Sequence, residues 1–168
     1  TTITLSGGIS QTEGNATGAS YLFTATLANA VQGGFSLAYS TDDESATVEG
    51  DDYIDNDGSL VFSGQVGEAK PIRVTVIGDE MVEADERFLV TLHEVSNLHT
   101  DVLGNDVLSN VVLSNSIVIS GSPQSGLIVN DDLATLTLLA GAPQMEGTFS
   151  DASYPFSVTL SSAVQGGL

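Results

Sequence analysis

The chain has 168 residues and sets 22 acids against three basic side chains, Lys70, Arg73 and Arg87, for a formal net charge of −19. Such a chain repels nucleic acid and anionic membranes, and its natural partners are cations. Zero cysteines exclude a disulfide scaffold or thiolate metal site, and no apolar run is long enough for a spanning helix or shaped as a signal peptide, so no membrane insertion is expected.

Taken in chain order, the hydrophobic pattern has a period of two almost everywhere. A short apolar run at residues 2–5 comes first, and then Tyr21, Phe23, Ala25 and Leu27 alternate with Leu22, Thr24 and Thr26. Runs at 35–39 and 60–62 follow. Ile72, Val74 and Val76 then alternate with Arg73 and Thr75, and Phe88, Val90 and Leu92 with Leu89, Thr91 and His93. Residues 117–120 and 127–129 close the series. This alternation marks half-buried antiparallel strands with one face on a core, and the Gly, Asn, Asp and Ser between them are turn residues. No stretch sustains the spacing of an amphipathic helix. About seven strands of this kind predict an all-β fold, an immunoglobulin-like two-sheet antiparallel sandwich. The stretch 97–121 exceeds an ordinary connection, and its apolar patches (Val107, Leu108, Val111 to Leu113) predict an added hairpin or strand.

The chain then begins again. Residues 1–35 reappear as 134–168 without a gap, at an offset of 133, with eighteen of the thirty-five pairs identical, among them Gln11/Gln144, Glu13/Glu146, Tyr21/Tyr154 and the run AVQGG at 30–34 and 163–167. The organisation expected is one complete repeat over 1–132 and the N-terminal part, the first two strands, of a second over 133–168. The missing initiator Met points to an excerpt of a longer protein. Tandem copies belong to extended arrays more often than to enzymes. In the partial copy Tyr154, Phe156, Val158 and Leu160 form an apolar face that nothing in the chain is expected to cover, and Pro155, standing where the first copy has Leu22, favours an edge position.

The acids are clustered: eight lie in residues 42–57, five in 79–86, and Asp131 and Asp132 close the unit. Alternate connections of a sandwich emerge at the same end, so the first two clusters can meet. Carboxylates packed together repel unless protonated or bridged by a cation, and Ca²⁺, with six to eight oxygens in irregular geometry, is the economical bridge.

The order of Glu13, GDDY (50–53), IRVTVIGDEMVEADERFLVTL (72–92) and GSPQSGLIVNDD (121–132) resembles the Calx-β domain, a module of sodium–calcium exchangers and of bacterial surface proteins. The resemblance covers the whole first copy, and the second matches its beginning. It implies calcium at one end of the sandwich, held by Glu13, Asp52, Asp79, Glu83, Glu86, Asp131 and Asp132, with the Met81 carbonyl as a further oxygen. Gly78 and Asn130 stand where calcium-rich exchanger domains carry acids, which lowers the ligand charge. One to three ions are expected, at an extracellular-type affinity on the order of 10⁻⁴–10⁻³ M.

Other groups read more plainly. Asp55, Asp57 and the acids of 42–44 are solvated turn residues. His93 and His99, without cysteine or a histidine in register, make no zinc site. Tyr21 and Tyr53 are core or corner aromatics, and Asn15-Ala16-Thr17 is a sequon of the kind that arises by chance. No Ser/His/Asp spacing suggests a nucleophile, Glu83 and Glu86 share one loop without an aromatic cleft, and there is no Trp to stack on a sugar, so the chain is read as neither enzyme nor lectin. The resulting expectation is a calcium-binding structural repeat of a secreted or cell-surface array, partnered by neighbouring repeats or other copies of the protein and serving adhesion, matrix or filament assembly. The alternatives are a regulatory calcium sensor and a metal-free acidic spacer.

Overall fold

The computed structural model describes residues 1–15, 18–97, 117–145, 147–148 and 153–167. The apolar patches at 107–108 and 111–113, His99, Ala16 and Thr17 of the sequon, and Glu146 lie outside the described residues.

The strands in chain order are β1 (Thr2–Gly7), β2 (Gln11–Thr12), β3 (Ser20–Leu27), β4 (Phe35–Asp43), β5 (Gly58–Phe62), β6 (Ala69–Thr75), β7 (Glu86–Asn97), β8 (Val118–Ser120), β9 (Gln124–Val129), β10 (Leu136–Ala140) and β11 (Phe156–Leu160). One sheet has the order β6-β3-β1-β8 and the other β2-β9-β7-β4-β5, while β10 and β11 form a separate hairpin. The architecture is therefore all-β, with no helix long and apolar enough to cross a membrane among the described residues. The inward alternation follows the sequence pattern. Tyr21, Phe23, Ala25 and Leu27 are buried from one sheet, Phe88, Val90 and Leu92 from the other, and Ile3, Leu5, Phe35, Leu37, Phe62, Ile72 and Val74 fill the space between.

The described residues of the first copy carry nine strands where periodicity suggests about seven. The difference lies chiefly in β2, which corresponds to no apolar run and which the chain reaches by changing sheets after β1. β1 pairs with β3, whereas β2 runs parallel to β9 in the opposite sheet. The crossing is made at Gly7 (φ 123°) and Gly8 (φ 74°), where a Cβ on Gly8 would lie 2.2 Å from the Ser125 carbonyl. Left-handed backbone and close chain approach both demand glycine there. The switch delivers the residue after β2, Glu13, to the same end of the sandwich as the turn after β9.

Phe88 anchors that end. Its ring lies 5.1 Å from Tyr53, 5.3 Å from Tyr21 and 6.0 Å from Phe23. It stands opposite Gly126 of β9, where any Cβ would fall 2.4 Å from its Cζ. The glycine opens the slot, the ring fills it, and Glu86 is thereby fixed at the mouth of β7.

In the second copy, β10 and β11 pair as Leu136↔Leu160, Thr137↔Thr159, Leu138↔Val158, Leu139↔Ser157 and Ala140↔Phe156. Subtracting 133 gives the register of β1 with β3 pair for pair. The environment differs: Phe23 and Ala25 are wholly buried, but their counterparts Phe156 and Val158 are 65% and 58% exposed.

Candidate metal centre

Four chain segments bring acids to one end of the sandwich, each held by its own local bonds. Glu13 follows β2, and its N–H continues the ladder to the Val129 carbonyl at 3.2 Å. Asp52 is zipped to the end of β6: its carbonyl accepts from Ile77 N–H at 3.0 Å, and the neighbouring Tyr53 bridges Val76. One oxygen of the Asp52 carboxylate accepts the Thr47 N–H at 2.6 Å. Glu83 lies in the loop entering β7, Glu86 is the first residue of β7, and Asp131 and Asp132 follow β9 after Asn130.

These segments form two groups. Glu13, Asp131 and Asp132 each offer an oxygen within 4.8 Å of the others, and Asp52, Glu83 and Glu86 do the same. Six of the eight ligands expected from sequence thus fall into two sets of three. Asp79 and Met81 are in neither. Asp79 turns one oxygen back to accept the Met81 N–H at 2.6 Å, yet it lies close enough to act on both Glu13 and Glu83.

The electrostatics are those of crowded, desolvated carboxylates. Burial, then the Glu83 and Asp79 charges, followed by Asp132 and Asp131, push Glu13 up from 4.5 to about 7. Burial and the Asp52, Glu86, Asp79 and Asp132 charges do the same to Glu83, also to about 7. Glu86 is raised as well, by burial first and then by Asp52. Among the described residues no basic side chain figures in these shifts: Lys70 is engaged by Glu68 at 3.0 Å, and Arg87, next to Glu86 in the strand, faces the other way by the alternation of β7.

Two buried carboxylate oxygens lack a hydrogen-bond partner among the described residues, Oε1 of Glu13 and Oδ2 of Asp132, as does one hydroxyl away from the acids, that of Ser125. A buried carboxylate oxygen without a donor is costly. Both belong to the first group, and three oxygens spread over at most 4.8 Å match the span of a shell with ion–oxygen distances of about 2.4 Å. The residues present fit a hard divalent cation.

Asn130 and Gly78, the two departures from a fuller acidic set, have structural work. Asn130 accepts the Glu83 N–H at 3.0 Å through Oδ1, donates Nδ2 to the Asp132 carbonyl at 3.1 Å, and gives its backbone N–H to Asp85 at 3.2 Å. It ties one acidic segment to the other, accepting and donating at once as an ionised carboxylate in its place could not. At Gly78 a Cβ would lie 1.6 Å from the Gly14 carbonyl oxygen and 2.8 Å from that of Glu13. No side chain fits, acidic or otherwise.

Asp55 and Asp57 lie in the connection before β5 as expected, whereas Asp42 and Asp43 end β4 rather than forming a turn, and all four accept hydrogen bonds. Asp43 accepts from the Tyr53 hydroxyl at 2.6 Å, Asp57 from the Thr41 N–H at 3.0 Å, and Asp55 from the Thr41 hydroxyl at 2.7 Å. Asn15 of the sequon donates to Asp132 Oδ1 at 2.7 Å. His93 meets the Ser40 hydroxyl at 2.6 Å, and Asp42 engages Ser40 and Thr91. Sequence reasoning missed the linking role of Asn130 and the approach of Gln165, whose Nε2 comes within 3.5 Å of Glu86 Oε1. The only available signal for Gln165 was its repetition as Gln32.

Known proteins place this geometry in context. The family model described as the Calx-beta domain matches residues 9–116. No curated protein matches the chain. Among solved structures, the apo form of the Calx CBD1 domain is similar with a TM-score of 0.54 at 19% identity, over 77% of this chain and 98% of that one. The Calx CBD2 domain gives 0.55 at 17% identity, over 77% and 85%. CBD12 from CALX1.2 gives 0.56 at 19% identity over 80% of this chain, which spans about half (49%) of that longer structure. At these identities the likeness is one of fold.

Proposed function

We infer the function from one premise: the chain belongs to the Calx-beta family. It binds Ca²⁺ at the acidic end of the sandwich, and it works as a structural link in an array of such repeats on a secreted or cell-surface protein. Residues 1–132 are one complete repeat and 133–168 the opening of the next. The observation that carries the reading is the pairing of two three-carboxylate groups with the orphaned, buried oxygen of Glu13. Two groups suit two ions, one held by Glu13, Asp131 and Asp132, the other by Asp52, Glu83 and Glu86. Asp79 adds charge between them.

The ion supplies positive charge where the fold supplies none. With it, the segments bearing Glu13, Asp52, Glu83–Glu86 and Asp131–Asp132 are bridged; without it, their carboxylates must take up protons or push the segments apart. Because Asp131 and Asp132 lead directly into the second copy, bridging them stiffens the passage from one repeat to the next. That suits adhesion, matrix or filament assembly, in which a chain of domains transmits force.

The experiment is a thermal melt of this chain in millimolar Ca²⁺ and in chelator. A clear upward shift with calcium is expected, and identical melts would leave the metal-free spacer as the better account. A regulatory sensor is the second reading, favoured by the likeness to the Calx CBD folds, among them the calcium binding domain CBD12 of CALX1.1. Calorimetry separates the two, since a sensor needs affinity in the micromolar range and a structural link tolerates 10⁻⁴–10⁻³ M.

A further inference from the structure

The segment before β7 that carries Glu83 also bonds to the second copy. Val82 forms a parallel bridge with Val164, its N–H donating to the Ala163 carbonyl at 2.9 Å and its carbonyl accepting the Gln165 N–H at 3.0 Å. Residues 163–165 follow β11, so they belong to the second copy. The two bonds clamp the residue beside Glu83, and they bring the Gln165 side chain to Glu86 at 3.5 Å.

The segment 163–165 lies within the run AVQGG, identical in both copies. In the first copy the corresponding segment uses its other edge internally: Val31 donates to the Gly64 carbonyl at 2.8 Å. In a parallel bridge, the bonds to the neighbour come from the residues before and after the central one, and the central residue's own N–H points away. The Ala–Val–Gln edge can therefore hold its own repeat through the valine N–H and a preceding repeat through the alanine carbonyl and glutamine N–H.

We propose that residues 163–165 are a docking strand by which the following repeat closes the Asp52/Glu83/Glu86 group, with the Gln165 side-chain oxygen as a neutral ligand completing it. This rests on the calcium reading above. Three carboxylates give three negative charges against two positive ones, and a divalent ion of this type wants six to eight oxygens. A neutral amide adds an oxygen without adding charge. Without a cation the amide presents NH₂ to Glu86; with one, half a turn about its last bond presents Oε1 instead. The metal group of one repeat is then complete only when the next repeat is docked on it, and Gln32 is the residue through which the first copy would close the group of a repeat before it.

The test uses the full 168-residue chain, with Ca²⁺ as the probe. Calorimetry compares the unaltered chain with Gln165→Ala and, as a control remote from the cluster, Gln32→Ala. Amide hydrogen exchange at Val82 and Gln165 is followed with calcium and with chelator. We expect Gln165→Ala to weaken one of the binding steps about tenfold, Gln32→Ala to leave binding unchanged, and both amides to exchange more slowly in calcium. Equal affinity for the unaltered chain and Gln165→Ala would overturn the inference while the calcium reading stands, as would exchange at Gln165 indifferent to bound calcium. If the unaltered chain takes up no calcium, both fall together. Gln165 is exposed, so the variant keeps the fold.

Discussion

A single carboxylate tests whether the acidic end is built for an ion or is merely crowded. Glu13 is 6% exposed, its Oε1 has no donor among the described residues, and its surroundings hold it up at about 7. Glu13→Gln removes the charge and keeps the shape, and the new amide can donate to the equally orphaned Oδ2 of Asp132. In chelator at pH 7.5 the variant should melt higher than the parent, by about 3 °C, because a repulsive buried charge is gone. In millimolar calcium the order should invert, since the first group has lost a ligand and its affinity falls by about tenfold or more. A residue that only packs would shift both melts in the same direction. Opposite signs in the two buffers, read by calorimetric melting, are the signature of a ligand.

At the scale of elements, the strands were legible because burial forces a period of two on any half-buried strand. The alternations in β3, β6 and β7 could be read residue by residue, and their apolar members are the core. What could not be read were the crossings that depend on backbone meeting backbone. Nothing in the hydrophobic pattern shows that β1 hands over to β2 in the other sheet, since that turns on the Gly7–Gly8 torsions and the space beside Ser125. The same is true of Gly78. From sequence it reads as a missing ligand; in three dimensions it is the point where the 78–79 turn rests on the Gly14 carbonyl. Replacing it with the acid should therefore lose binding. Gly78→Asp is expected to lower the melting temperature by about 5 °C or more in calcium and in chelator alike, and to weaken calcium binding, because the turn must move off the Glu13 loop. A gain in affinity by calorimetry would show that the turn can yield and that the glycine is only an absent charge.

For the whole molecule, the six grouped acids were legible as a list but not as two sets of three, because their grouping depends on which connections meet at the end of the sandwich and on an amide, Asn130, that ties them. That grouping makes the stability of the metal-free chain depend on pH in an unusual sense. Glu13 and Glu83 titrate at about 7 in the fold, against 4.5 for the ordinary group. Between those values the folded chain holds more protons than the unfolded one, so the slope of unfolding free energy with pH is negative. The stabilisation from these two protons is fully present below pH 4.5 and is lost as pH rises through 7. The stripped chain should melt highest on the acid side of this window and lose about 5 °C between pH 5 and 8. Ordinary salt-bridged carboxylates, lowered rather than raised, would give the reverse. Calcium should remove the slope by taking the place of the protons, and binding near pH 6.5 should release protons, which calorimetry in buffers of different ionisation enthalpy counts directly. A flat or rising profile for the stripped chain would mean that Glu13 and Glu83 are solvated as separate surface charges, and the assignment of the two groups as one charged end would fail with it.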